Sequence, residues 1–150
     1  PLIRRQAARA LGMIDDPSAV AALKPGLEDE YIWVRLTAAL SLARLGEKES
    51  PLPILSGVIR GEESENWKFA GSESGENISD DEQEKRSRIL TRIREQTFPL
   101  LALSGLREID TPQAREIIAE ALESENDYVR RKAEKILQRS SRQGSETGGS

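Results

Sequence analysis

Apolar residues recur at spacings of three and four in four stretches of this chain, which places them on one face of an α-helix. The four sets are Ile3, Ala7, Ala10, Leu11 and Ile14; Val34, Ala38, Ser41, Leu42 and Leu45; Phe98, Ala102, Gly105, Leu106 and Ile109; and Val129, Ala133, Ile136 and Leu137. Small residues recur at fixed places in these sets, which favours close approach of neighbouring helices. The pattern predicts four helices that each begin a repeating unit.

A second apolar stripe follows each of the first three sets. In the first unit, Asp15, Asp16 and Pro17 break the helix, and a proline in the first turn costs a new helix no hydrogen bond. The stripes are Val20, Leu23 and Leu27; Ile54 and Val58; and Ile118 and Leu122. Each unit is therefore predicted to be an αα-hairpin, and the fourth unit lacks its second helix.

The first two units are 31 residues apart, and a period in this range is typical of a solenoid. A single hairpin cannot bury its own apolar face, so stacking must bury it. We predict an all-α fold, an α-solenoid of about three and a half hairpin repeats. The repeat domain spans 1–139, with repeats at about 2–31, 32–61 and 97–126, a half repeat at 127–139, and a disordered tail at 140–150.

Several segments resemble the HEAT repeat, in particular the short bacterial type found in phycobilisome bilin lyase subunits. They are residues 10–17, Val34-Arg35 with Ala38-Ala39 and Leu42, and residues 129–133. The resemblance covers about 2–61 and 97–139. It implies an ARM/HEAT-type superhelix whose common role is protein–protein binding. The chain departs from the family at 62–96 and at the incomplete fourth unit.

Residues 62–96, which we call the insertion, separate the second and third repeats. Val58 and Phe98 are 40 positions apart, whereas the equivalent pair Leu27 and Val34 are seven apart. The first part of the insertion is acidic and rich in Gly and Ser, so we expect a mobile loop there. Its second part begins with a capping box at Ser79 to Glu82, which predicts a helix over about 80–96 with a break or kink at Pro99.

Four aromatic residues are candidates for contacts with a partner. Trp67 and Phe69 lie within the acidic part of the insertion, either as a short docking motif or as residues that pack the loop against the second repeat. Trp33 and Tyr128 share one position at the start of a first helix. They would form either an exposed ridge or a hydrophobic staple on the helix start.

Arginine recurs at one position, as Arg4, Arg35 and Arg130. One interpretation is an anion-binding ladder, and the other is pairing with acidic turn residues such as Asp29 and Asp127. Two basic runs also occur, one of which includes Arg92. They favour either nucleic-acid binding through phosphate contacts or a solvated, self-paired surface. The runs are Lys85, Arg86, Arg88, Arg92 and Arg94, and Arg130, Arg131, Lys132, Lys135 and Arg139.

Composition removes several classes of function. Histidine and cysteine are both absent, which excludes a disulfide, a zinc or iron site built from thiolates or imidazoles, and a Cys–His or Ser–His–Asp nucleophile. We expect no cofactor, no metal and no catalytic activity. No apolar run approaches the roughly 18 residues that a membrane-spanning helix needs.

The charge is unevenly distributed. The net charge of −4 combines a local −8 over residues 62–84 with +4 over the remainder. The chain begins at Pro1 inside a repeat, so we expect a fragment or a processed product, and we expect a cytoplasmic location. The apolar residues Val129, Ile136 and Leu137 of the incomplete fourth unit predict further repeats or self-association at the C-terminal end.

Together these observations favour a non-catalytic HEAT-type scaffold that binds another protein on the concave face of the second helices. The candidate contact residues are Trp33, Arg35, Trp67, Phe69 and Arg92. Two alternatives remain open, an accessory subunit of a bilin lyase or phycobilisome-handling system and a nucleic-acid-binding protein.

Overall fold

The computed structural model describes residues 1–14, 16–62, 66–69 and 79–146, with the backbone alone for 141–146. The fold is all-α. The helices are α1 (Leu2–Leu11), α2 (Ser18–Leu23), α3 (Ile32–Arg44), α4 (Leu52–Arg60), α5 (Asp80–Arg92), α6 (Phe98–Ile109), α7 (Pro112–Glu120) and α8 (Asp127–Glu146). In the part of the chain that the structure describes, no helix is long and apolar enough to cross a membrane.

The helices stack as hairpins. The pairs α1–α2, α3–α4 and α6–α7 follow one another, and α8 packs on the third pair. The first helices form one layer, in which α1 contacts α3, α3 contacts α6 and α6 contacts α8. The second helices α4 and α7 pack beside them and against each other. This order is that of an α-solenoid, as the repeat predicts.

Local sequence signals explain where the helices begin and end. Thr111 caps α7, since its side-chain oxygen accepts a hydrogen bond from the Ala114 N–H, and Pro112 occupies the first turn. Gly61 ends α4 with a φ of 68°, a left-handed conformation that glycine adopts without a steric penalty. A 3₁₀ segment, Lys24–Glu28, extends α2, and Pro25 lies in the first turn of this segment.

The small residues lie where neighbouring helices approach most closely. A Cβ atom placed on Gly12 would overlap the side-chain oxygen of Ser41. That Ser41 hydroxyl donates a hydrogen bond of 2.9 Å to the carbonyl oxygen of Ala8. A Cβ on Gly105 would lie 2.9 Å from the Leu40 side chain. Larger residues at these positions would therefore separate the hairpins.

Helix α5 confirms the predicted capping box. The side-chain oxygen of Ser79 accepts from the Glu82 N–H, and the Glu82 carboxylate accepts from the Ser79 N–H. The expected break at Pro99 is replaced by a π-helical turn, Ile93–Thr97, just before it. There the Phe98 N–H bonds to the carbonyl of Ile93 five residues back, which fits a wider turn next to a proline that lacks an N–H.

The C-terminal end differs from the expected one in two respects. Helix α8 continues to Glu146, so residues 140–146 are helical, because extending an existing helix is far easier than starting one. Residues 147–150 of the expected disordered tail lie outside the described residues. Val129 and Ile136 are only 2 % and 5 % exposed and belong to the core, so they are not short of cover, and further repeats or self-association at this end stay a prediction.

Candidate protein-binding surface

A groove runs between the start of α3 and one side of α4. We call it the α3–α4 groove, and its volume is about 690 Å³. Its lining residues are Ile32, Arg35, Pro53, Ile54, Gly57, Val58, Glu62 and Trp67. Six of the eight lining residues are apolar, and Arg35 and Glu62 are the charged members, so polar and apolar atoms share the exposed lining about equally. This arrangement suits a ligand with an apolar side chain and a nearby charge.

The insertion contributes Glu62 and Trp67 to this groove, and Trp67 belongs to residues 66–69, which we call the strap. The Ile32 N–H donates a hydrogen bond of 3.3 Å to the carbonyl oxygen of Lys68, and Tyr31 and Lys68 form an isolated parallel β-bridge. The Lys68 ammonium lies 3.4 Å from a carboxylate oxygen of Glu30. The strap is thereby fixed against the start of α3. The remaining mobile-loop prediction, over 63–65 and 70–78, lies outside the described residues.

The two aromatic residues of the strap belong to the core. Trp67 and Phe69 are 7 % and 5 % exposed. Their ring centroids lie 5.4 Å and 5.9 Å from the fully buried ring of Phe98, and Phe69 stacks on it with an interplanar angle of 5°. Of the two interpretations offered by the sequence, the structure shows packing. Of the two, Trp67 also lines the α3–α4 groove.

Trp33 and Arg35 lie at the start of α3 but have different surroundings. The Trp33 ring meets Phe98 edge-on at 4.6 Å, and the guanidinium of Arg5 lies 4.2 Å from the Trp33 centroid. Trp33 is therefore packed on the helix start, whereas Tyr128 at the matching position is 64 % exposed. Arg35 donates to the carbonyl oxygen of Asp29 at 2.9 Å and also lines the α3–α4 groove.

Arg92, the fifth candidate, lies apart from the others. It is exposed on the last turn of α5 and lines a shallow depression with Arg88, Glu95 and Asn126. Arg35 and Trp67 are thus the two candidates that the structure brings together in the α3–α4 groove. Trp33 and Phe69 pack around the ring of Phe98 instead.

The repeated arginine forms ion pairs and caps turns. Arg4 donates two hydrogen bonds to the Asp29 carboxylate, the shorter at 2.6 Å. Arg130 donates a hydrogen bond to the carbonyl oxygen of Ser124 and forms an ion pair with Asp127. Arg35 makes the equivalent bond to the carbonyl oxygen of Asp29, and in both cases the acceptor lies six residues before the arginine. Arg4 and Arg130 thus pair with the acidic turn residues Asp29 and Asp127, as one of the two interpretations expects, whereas Arg35 bonds to backbone carbonyl oxygens of the turn at 29–30.

Two carboxyl groups respond to their arginine partners. Burial alone would raise the pKa of Asp29, but hydrogen bonds from Arg4 and the Tyr31 N–H outweigh it and lower the pKa below the usual value. The Arg60 guanidinium lowers the pKa of Glu120 in the same way, through two hydrogen bonds of 2.8 and 2.9 Å that join α4 to α7. This second pair spans 60 residues and carries no sequence signal.

A second groove borders the other side of Trp67. Its volume is about 610 Å³, and its charged lining residues are Arg60, Arg94, Glu95 and Glu125. The Arg94 guanidinium lies 5.5 Å from the Phe69 centroid, and in the described part of the chain its buried Nε has no hydrogen-bond partner. Sequence reasoning placed Arg94 in a basic run only and missed this position beneath the strap.

The two basic runs differ in their pairing. On α5, Lys85 pairs with Asp81 and Arg88 with Glu84, each at 2.6 Å and four residues apart. On α8, Lys132, Lys135 and Arg139 line a depression of about 340 Å³ next to Arg107 and Asp110. Acidic residues of α5 thus neutralise part of the positive charge of the basic run on the same helix. This weakens the interpretation that the α5 run binds nucleic acid.

Comparison with known proteins supports the repeat architecture. Residues 1–70 match the family model described as HEAT repeats. The bilin biosynthesis protein PecE of Nostoc sp. is 47 % identical over 55 residues, which make up 36 % of this chain and 22 % of that protein. The match thus spans about a fifth of the relative's length. No solved structure shows significant similarity to the chain.

Proposed function

We propose that this chain, whose residues 1–70 are HEAT repeats, is a non-catalytic scaffold that binds another protein in the α3–α4 groove. The observation that supports this most is the groove itself, a cavity of about 690 Å³ in which six of the eight lining residues are apolar and Arg35 and Glu62 are charged. Such a groove can take apolar side chains of a partner, while its two charged residues set the partner's orientation. We propose Arg35 and Trp67 as contact residues, with an acidic group of the partner near Arg35.

The contribution of the strap is indirect in this proposal. Trp67 forms one wall of the groove while its ring also contacts Phe98 in the core. Trp33 and Phe69 support that wall from beneath through the same ring. Removing the whole insertion would therefore disturb the core as well as the groove. Point substitutions that fill the groove are the better probes.

Gly57 offers such a probe. It lies in α4 on the groove lining, and a Cβ there would meet only the Glu62 side chain, at 3.4 Å. Gly57→Glu should fill the groove and add a negative charge while the helix stays intact, since most residues favour a helix more than glycine does. Gly57→Ala is the matched control, because it changes the backbone preference and leaves most of the volume open.

The experiment captures proteins from the source lysate on the parent chain, Gly57→Ala and Gly57→Glu, with identification by mass spectrometry. Binding of the identified protein is then measured in purified form. We expect the parent and Gly57→Ala to bind alike and Gly57→Glu to bind at least tenfold more weakly. Equal binding by all three proteins would show that this groove is not the site.

A second candidate function is bilin handling, which the likeness to a protein named for bilin biosynthesis favours. A bilin is an open-chain tetrapyrrole with carboxylate side chains, and the α3–α4 groove offers it an apolar surface and Arg35. Titration of the chain with a purified bilin should then change the visible absorption spectrum, and Gly57→Glu should abolish the change. An unchanged spectrum with the parent chain would contradict this candidate.

A further inference from the structure

The groove of about 610 Å³ on the other side of Trp67 contains a cation without a counterion. We call it the Arg94 groove; the end of α4, the strap, the π-helical turn and the turn before α8 form it. The Arg94 guanidinium lies 5.5 Å from the Phe69 centroid, and its Nε is buried. Among the residues that the structure describes, Arg94 forms neither an ion pair nor a hydrogen bond through its side chain. A cation partly removed from water is costly unless an anion compensates it.

The other charged residues of the Arg94 groove cannot fill this role. Arg60 is already paired, at 2.8 Å with Glu120 and at 3.6 Å with Glu62. Glu95 and Glu125 also line the groove, but both are exposed and neither pairs with Arg94 within the described ranges. Arg94 is therefore the cation of this groove that remains available to a ligand.

Two neutral residues next to Arg94 also have donors to offer. The side-chain oxygen of Asn126 accepts from the Tyr128 N–H at 3.0 Å, which leaves the amide NH₂ group of Asn126 as a donor. The hydroxyl oxygen of Ser124 accepts from the Asn126 N–H at 3.2 Å, which leaves the hydroxyl hydrogen to donate. Both residues line the Arg94 groove. One charged and two neutral donors in a single groove suit a carboxylate, which accepts several hydrogen bonds at once.

The same lining favours a carboxylate over a phosphate. Glu95 and Glu125 would repel a phosphate with two negative charges more strongly than a carboxylate with one. Val58, Trp67 and Pro99 provide apolar surface in the same groove. An anion of single charge on an aliphatic stem, as in aspartate or glutamate, matches both properties.

The Arg94 groove continues into a neighbouring depression on each side. It shares Val58 and Trp67 with the α3–α4 groove, and it shares Glu95 and Asn126 with the shallow depression beside α5. A polypeptide segment can therefore enter and leave the Arg94 groove rather than end in it. This continuity favours a side-chain carboxylate over the carboxylate of a chain terminus.

We propose that the Arg94 groove binds an aspartate or glutamate side chain of the partner protein. The same segment of the partner places an apolar side chain in the α3–α4 groove, across Trp67. The inference thus rests on the proposed function and adds a second, charged contact to it. Arg94 pairs with the carboxylate, and Ser124 and Asn126 donate further hydrogen bonds.

The test selects peptides of about twelve random residues, displayed on phage, on the parent chain. Enriched peptides are synthesised with amidated C-termini, so that any carboxylate belongs to a side chain, and their Kd is measured by fluorescence anisotropy. We expect an aspartate or glutamate near an aliphatic or aromatic residue. Replacing this acid by its amide should weaken binding to the parent chain about tenfold or more.

Two variants of Arg94 make the assignment specific. Arg94→Gln should weaken binding by the same factor, and replacing the peptide's acid by its amide should then have no further effect. Arg94→Lys is the matched control, because it keeps the charge and should keep the preference for the acid over the amide. Urea unfolding of each variant accompanies the binding measurements. If Arg94→Gln is unstable, the comparison of acid and amide peptides on the parent chain and on Arg94→Lys still decides.

The outcomes separate this inference from the proposed function. Peptides that lose binding to Gly57→Glu but bind Arg94→Gln as well as the parent chain would overturn the inference and leave the proposed function standing. Equal binding of acid and amide peptides to the parent chain would overturn it in the same way. Failure to enrich any peptide that Gly57→Glu excludes would contradict both.

Discussion

Replacing Trp67 by alanine tests whether the strap is part of the core. Its side chain is 7 % exposed and its ring centroid lies 5.4 Å from Phe98. Truncating a buried tryptophan costs about 3–5 kcal/mol. Since Trp67 also borders two grooves, water can fill part of the space, and we expect the lower end, about 3 kcal/mol. For a chain of this size, that loss lowers the Tm by about 6–12 °C.

Urea unfolding followed by far-ultraviolet circular dichroism is the suitable assay, because the signal does not depend on the tryptophan that is removed. Lys68→Ala is the matched control within the strap. The Lys68 side chain is 50 % exposed and its ion pair with Glu30 lies on the surface, so its loss should cost less than about 1 kcal/mol. A large effect at Trp67 and a small one at Lys68 would locate the stabilisation in the aromatic contact.

The reasoning would be refuted if Trp67→Ala unfolded at the same urea concentration as the parent chain. A loss of partner binding without any loss of stability would then restore the interpretation of Trp67 and Phe69 as a docking motif. Both properties must be measured on the same preparations, because an unfolded variant also fails to bind.

Three further outcomes are expected. The pKa of the Asp29 carboxyl in the folded protein is lower than its usual value of 3.8. The ionised carboxylate therefore stabilises the folded state above that pH, and this stabilisation is lost as the pH falls through the lower pKa of the folded state. Asp29→Asn should therefore flatten the fall in urea stability below about pH 4, and an unchanged slope would argue against the pair with Arg4. Gly12→Val should destabilise by at least about 1–3 kcal/mol in urea unfolding because its Cβ would overlap the Ser41 side chain, and a neutral effect would contradict that packing. Lys135→Glu should lower retention on heparin more than charge reversal on α5 does, and equal effects would refute the difference in pairing.

The features that the sequence predicts correctly depend on neighbours within a few residues. The capping box at Ser79 and Glu82 closes within four residues, and the turn before α7 needs only Thr111 and Pro112. The repeat adds the comparison of equivalent positions, which identifies the hairpins. These signals give the architecture and the order of the helices.

Contacts between distant residues are less accessible to sequence reasoning. The strap lies in an acidic segment poor in aliphatic residues, which by composition predicts a loop. Its two aromatic side chains are nevertheless buried, because the ring of Phe98, 31 residues beyond Trp67, offers them an apolar surface. The Arg60–Glu120 pair has the same origin, since only the packing of α4 on α7 brings the two side chains together.

The sequence analysis expected the uncovered apolar face at the C-terminal end, and the direction in which the first helices face explains why this was wrong. Periodicity shows that a helix has an apolar face, but not whether that face meets the preceding or the following hairpin. The sequence therefore gave no reason to prefer one end, and the incomplete fourth unit suggested the C-terminus. In the structure Val129 and Ile136 are covered, whereas Ile3 and Ile14 are exposed. The uncovered face is at the N-terminal end of the stack.

This direction also accounts for the place of the insertion. The ring of Phe98 on α6 faces the second hairpin. The residues between the second and third hairpins therefore close the space around this ring. Trp33 covers one side of the ring, and the strap supplies Trp67 and Phe69 for the rest. The insertion therefore completes an interface between repeats, and the grooves on either side of Trp67 exist because it does so. A surface built in this way is coupled to the stability of the fold, so truncating Trp67 should weaken binding and folding together, whereas Gly57→Glu should weaken binding without weakening the fold.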